Sequence, residues 1–292
     1  WMLLNIILLV LIPTMICRKF SISLEKSILI IFFFCFCIVS KVQIVTGQQT
    51  LLILFFFTLP FIKETKINFV LSGISYFKYT IGYALFILFL CSKKYKILIL
   101  TIIPSVLGWL VYSFISNSSP ITTIFQPLEL ALENQLIGET KNNMPKNKFI
   151  FSIFEKIEFI NFYYKSLIFL LISILLNFFI FLKIKNLNDN LLKLSCLCLS
   201  TLIFFPHYPH DYVMLLPFLA YSVKNFNCDI SKITFFLTIY FLHFFKGISI
   251  YLEKLLNFLS AKEQSVELVN YSISYIHIIL LLFMLLINLY KK

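Results

Sequence analysis

Residues 191–223 read LLKLSCLCLSTLIFF PHYPHDY VMLLPFLAYSV, two apolar runs around a polar turn. The turn holds Pro206, His207, Pro209, His210 and Asp211, residues that Leu or Phe would outperform if packing were the sole purpose. Pro206 and Pro209 lack amide donors and restrict φ, which predicts a fixed, non-helical connection. Irregular backbone at membrane depth is tolerated only where protein or water surrounds it. The turn therefore reads either as an interfacial turn with aromatic anchors or as part of a site facing water.

The rest of the chain supports the membrane setting. Of its 292 residues, 60% are hydrophobic and only 13% charged, a balance that excludes a soluble domain. About 20 apolar residues span a bilayer, and shorter stretches serve as buried half-helices. The apolar segments are 2–17, 27–45, 50–62, 68–77 with 80–91, 97–116, 163–182, 190–205, 211–223, 233–250 and 271–290. They predict an all-α, polytopic transmembrane bundle of about ten segments, one domain over 1–292 with an outer loop, 117–162, packed on it. Within that loop 128–136 reads as a short helix that pairs Glu129 with Glu133, 149–164 suits a helix lying in the interface, and 253–270 is a second mixed outer segment.

The net charge of +12 does not point to nucleic acid. Only Arg18 is arginine, and no basic stripe interleaves with polar residues. The positions of the cations are more informative. With the segments alternating, loops 18–26, 63–66, 93–96, 183–193, 224–232 and 291–292 share one side. They hold 15 of the 25 Lys+Arg and four of the 13 acidic residues, +11 against +1 for the opposite side. The positive-inside rule makes that side cytoplasmic and places 117–162 and the His207–Asp211 turn outside. The first segment then runs from outside to Arg18-Lys19 inside, and the chain opens on Trp1, so upstream spans are expected. The seven cysteines make no framework, since Cys35/Cys37 and Cys196/Cys198 point to different helix faces.

Three polar positions stand out. Gly47-Gln48-Gln49-Thr50 opens a segment from the outer side; an amide there caps a helix start or holds sugar hydroxyls. Lys78 lies between two short apolar stretches and caps a tight helical hairpin near the outer face. An ion at bilayer depth costs a few kcal/mol at least and marks a function unless it snorkels. Asp211 is the sole aspartate on the outer side. Two histidines around a proline beside it make a weak metal signature, and no metal is assigned.

Gly47-Gln48, the apolar segment 51–62, a short charged loop, then Leu71-Ser72-Gly73-Ile74-Ser75-Tyr76-Phe77-Lys78, an apolar run and a Lys-rich turn together resemble glycosyltransferase family 87. These are polyprenol-phosphate-mannose-dependent mannosyltransferase-like proteins of the GT-C class. The turn 206–212 with Leu215-Leu216-Pro217 is similar to the family's polar turn before a late helix. The resemblance covers about residues 1–225. It departs in two places: Lys78 is followed by Tyr79 rather than Pro, and no acidic first outer loop is present. The main catalytic base is therefore expected upstream of Trp1.

The resemblance implies transfer of a sugar, plausibly mannose, from a polyprenyl-phosphate donor to a glycan or glycolipid hydroxyl on the outer or lumenal face. The candidate substrate-binding residues are Gln48 for sugar, Lys78 with Tyr79 for the lipid phosphate, and His207 and His210 for phosphate or acceptor hydroxyls. Asp211 is the reserve base. The donor is a substrate, and no cofactor is expected. Membrane lipids surround the chain, in the bacterial plasma membrane or, in a eukaryote, the endoplasmic reticulum. The rival classes are a lipid-linked-oligosaccharide flippase, which would need charges along a path and broken helices in matching halves, and a non-catalytic membrane subunit.

Overall fold

The computed structural model describes residues 1–121, 123, 162–204 and 209–243. The predicted helices at 128–136 and 271–290, the segments 149–161 and 253–270, and His207 lie outside the described residues, as does the side chain of Tyr79.

Every regular element among the described residues is helical. The α-helices are α1 Met2–Lys19, α2 Leu24–Cys35, α3 Ile38–Thr46, α4 Thr50–Ile62, α5 Lys66–Ser72, α6 Tyr79–Cys91, α7 Tyr95–Ile115, α8 Phe162–Ile184, α9 Asn190–Phe204, α10 Leu216–Lys224 and α11 Asp229–His243. Two 3-10 helices, Gly73–Phe77 and Pro209–Leu215, lead into α6 and α10. By length and composition α1 and α7 can each cross a membrane, and α2 with α3 makes a third candidate if the bent pair is one span. The faces these helices leave exposed are apolar: Leu3, Ile7 and Val10 on α1, Ile103, Leu107 and Phe114 on α7. Apolar faces of this extent are suited to lipid.

The segment read as a continuous 27–45 is broken. A 53° bend separates α2 from α3. The ladder stops at Phe36, and Cys37 restarts it as a cap whose sulfur accepts from the Ser40 amide. The segment read as 211–223 is also divided, into a 3-10 turn and the nine-residue α10. Residues 212–220 are almost wholly buried, and α10 packs against α1, α2, α9 and α11. It is the centre of the bundle, surrounded by protein.

Contacts between distant loops agree with the sorting by charge. Lys26 Nζ donates to the Lys224 carbonyl at 3.2 Å, and Lys185 Nζ to that of Cys91 at 3.3 Å. The first bond joins two loops read as lying on the same side, and the second joins the 183–193 loop to the end of α6, beside the 93–96 loop of that side.

Candidate functional site

The opposite ends of these helices carry a buried polar cluster. Gly47 ends α3 in the left-handed region, φ +64°, where a side chain would be strained. The Gln48 amide then donates back to the Gln43 carbonyl at 3.3 Å, the long-range bond of a Schellman motif. Asn5 of α1 donates from Nδ2 to the carbonyls of Gln43 and Gln48, each at 3.4 Å. The chain is thereby pinned as α4 begins, and Thr50 is the first residue of α4.

Lys78 sits at the corner between the first 3-10 helix and α6. Its carbonyl accepts from the amides of Ile81 and Gly82, both at 2.9 Å. The corner is tight: a Cβ on Gly82 would lie 2.6 Å from the Ser75 carbonyl oxygen. Phe77, one residue earlier, packs its ring against Gly108, about two turns before the end of α7. Lys78 is thus recessed between helices, with its side chain 25% exposed.

Its ammonium forms an ion pair with Asp211 Oδ1. Thr50 Oγ1 bridges the pair, accepting from Lys78 Nζ at 2.8 Å and donating to Asp211 Oδ1 at 2.8 Å. The Asp211 side chain is only 2% exposed. His210 Nε2 lies 3.5 Å from Asp211 Oδ1, within ion-pair reach when the ring is protonated. From α3, Gln43 Nε2 donates to the His210 carbonyl at 2.5 Å, tying down the turn that carries both residues.

Lys78, His210 and Asp211, selected from the sequence, are therefore brought together across more than 130 residues of chain. The Gln48 backbone belongs to the α3 terminus, two residues before Thr50; its side chain is half-buried, and among the described residues that side chain makes no hydrogen bond. Nor does the amide pair cap α4: Gln49 is its N-cap and makes no side-chain cap bond. The turn expected to be wholly non-helical is a 3-10 helix from Pro209 onward.

Gln43 and Asn5 escaped the sequence reading, and Thr50 was given no role of its own in it. Each is an uncharged polar residue, Asn5 and Gln43 within apolar segments and Thr50 at the start of one, and each is fully buried. The cost of such a residue in a bilayer was the available signal. An ammonium, a carboxylate, a hydroxyl and an imidazole now meet at one point, with Lys78 as the most exposed member. The group can hold an anion on Lys78 and accept a proton on Asp211 or His210. The chain finds no match among protein families, among curated proteins or among solved structures.

Proposed function

We propose that the chain is a multi-pass membrane glycosyltransferase of the GT-C type, with about ten membrane segments, using a polyprenyl-phosphate-linked hexose. The observation that carries this reading is the meeting of Lys78, Thr50, His210 and Asp211 in a largely buried cluster at the ends of apolar helices. A buried ion pair is costly, and an apolar pair of similar volume would often be at least as stable. Its presence here fits a site that handles a charged group.

In the proposed reaction the donor phosphate takes up the Lys78 ammonium. The acceptor oxygen bonds to the anomeric carbon, and the bond from that carbon to the phosphate oxygen breaks. The hydroxyl proton passes to Asp211 or His210, and polyprenyl phosphate leaves with its negative charge countered by Lys78. Gln48 retains a place at the sugar only through its half-buried side chain.

The test is transfer of labelled hexose from polyprenyl-phosphate mannose to a mannoside acceptor by the reconstituted protein. Lys78→Gln and Asp211→Asn are each expected to lower transfer by about 100-fold or more. No transfer from any polyprenyl-phosphate hexose would sink the reading. The bent α2–α3 pair and the intramembrane ion pair also fit a lipid-linked-sugar transporter. Movement of intact donor across vesicles without cleavage would favour that alternative.

A further inference from the structure

We infer that Gln43 is a positioning residue for Asp211, holding the carboxylate in register with Lys78 by anchoring the carbonyl of the preceding residue. This rests on the glycosyl-transfer reading for its kinetic consequence, but not for its geometry. Gln43 is fully buried, and its Nε2 donates to the His210 carbonyl at 2.5 Å. Among the described residues its Oε1 has no hydrogen-bond partner. A buried amide oxygen left in that state is destabilising, so the side chain is a poor choice for packing alone.

The backbone of Gln43 is as firmly placed as its amide. Its carbonyl accepts from the Gly47 cap amide, from the Gln48 amide at 3.3 Å and from Asn5 Nδ2 at 3.4 Å. Asn5 is likewise fully buried, and among the described residues its Oδ1 has no hydrogen-bond partner. The order of support is therefore Asn5 on α1, Gln43 on α3, then the His210 carbonyl, with Asp211 next in the chain. The opposite side of the carboxylate is held by Thr50 and Lys78. Among the described residues Asp211 is thus held from two sides, by Thr50 and Lys78 at its carboxylate and by Gln43 through the His210 carbonyl.

The experiment uses the full chain in lipid nanodiscs, with polyprenyl-phosphate mannose as donor and methyl α-mannoside as acceptor. Gln43→Met keeps the volume and removes the donor. It is expected to lower kcat about 10- to 100-fold while the donor KM stays within about twofold, as a misplaced base but intact phosphate contact requires. Thermal melting supplies a second readout. In an Asp211→Asn background the effect of Gln43→Met should shrink by at least about half, because part of it acts through Asp211. An unchanged kcat in an active protein, or additive melting shifts, overturns the inference. Non-additive melting with no transfer by the wild type means that the enzymatic reading fails while the positioning of Asp211 stands. If Gln43→Met does not accumulate, Asn5→Leu removes the anchor behind Gln43 and should move kcat and the melting cycle in the same direction by less; no movement in either overturns the inference.

Discussion

Lys78 with Asp211 and Lys232 with Asp229 are the same pair of residue types in two settings. The first joins residues 133 positions apart and is largely buried, with Asp211 2% and Lys78 25% exposed. The second spans three positions at the start of α11, with Asp229 89% exposed. The Lys232 hydrogen bond holds Asp229 below the usual carboxylate range, yet water and salt screen that interaction. Partner identity is therefore a poor guide to what a pair contributes. Burial and sequence separation decide it, because only the first pair fixes helices that nothing else in the local chain would bring together.

The largest effect tests the sidedness of the two settings and is all-or-none. Of the seven free cysteines, Cys228 is the exposed one, in the loop just before Asp229. A membrane-impermeant maleimide should leave Cys228 unlabelled in sealed, right-side-out vesicles and label it once they are opened. Labelling in sealed vesicles reverses the orientation and puts the Lys78–Asp211 cluster on the cytoplasmic side.

The next effect separates the partners of the buried pair. Lys78→Met leaves an uncompensated carboxylate in the core and should cost about 3–5 kcal/mol in detergent melting experiments. Asp211→Asn leaves an ammonium that is a quarter exposed and can reach water, so it should cost less, about 1–3 kcal/mol. Equal costs would mean that Asp211 is wetter than its burial implies.

Thr50→Val is nearly isosteric and removes the hydroxyl that both charges use. A loss of about 1.5–3 kcal/mol is expected, as for hydrogen bonds to charged groups, and Thr50→Ser should restore most of it. A neutral Thr50→Val would make the bridge incidental.

The smallest effect belongs to the exposed pair. The pair's contribution is present above the unfolded-state pKa of Asp229 and is lost as pH falls through its lower folded-state value. Because both side chains are solvated, Asp229→Ala should leave the melting temperature unchanged within error, from neutral pH down through the carboxylate range. A clear pH-dependent loss would erase the contrast between the two settings.

Much of the molecule was legible in the linear sequence. Apolar segments gave helix positions closely, as in 50–62 against Thr50–Ile62 and 80–91 against Tyr79–Cys91. Lys78, His210 and Asp211 could be singled out because ions and imidazoles stand out against an apolar background; that they meet is a fact of the tertiary structure. The break at Phe36-Cys37 was not legible. No proline marks it, and it is stabilised by local contacts of the Cys37 sulfur with Ser40. What the sequence did not show at Gln48 is that its backbone is set by Gly47, whose left-handed φ commits the following residue to ending α3.

By itself the sequence determined that this chain is helical and apolar enough for a membrane, and that its lysines gather on one set of loops. Hydropathy and charge are properties of composition along the chain, so no tertiary information was needed. Only the tertiary structure decided that Thr50 bridges Lys78 to Asp211 and that Gln43 and Asn5 stand behind the turn. It also decided that 212–220 is the centre of the bundle, although its composition resembles that of a lipid-facing span. Those outcomes depend on which helix faces meet, and apolar segments facing lipid and facing protein are written in nearly the same residues.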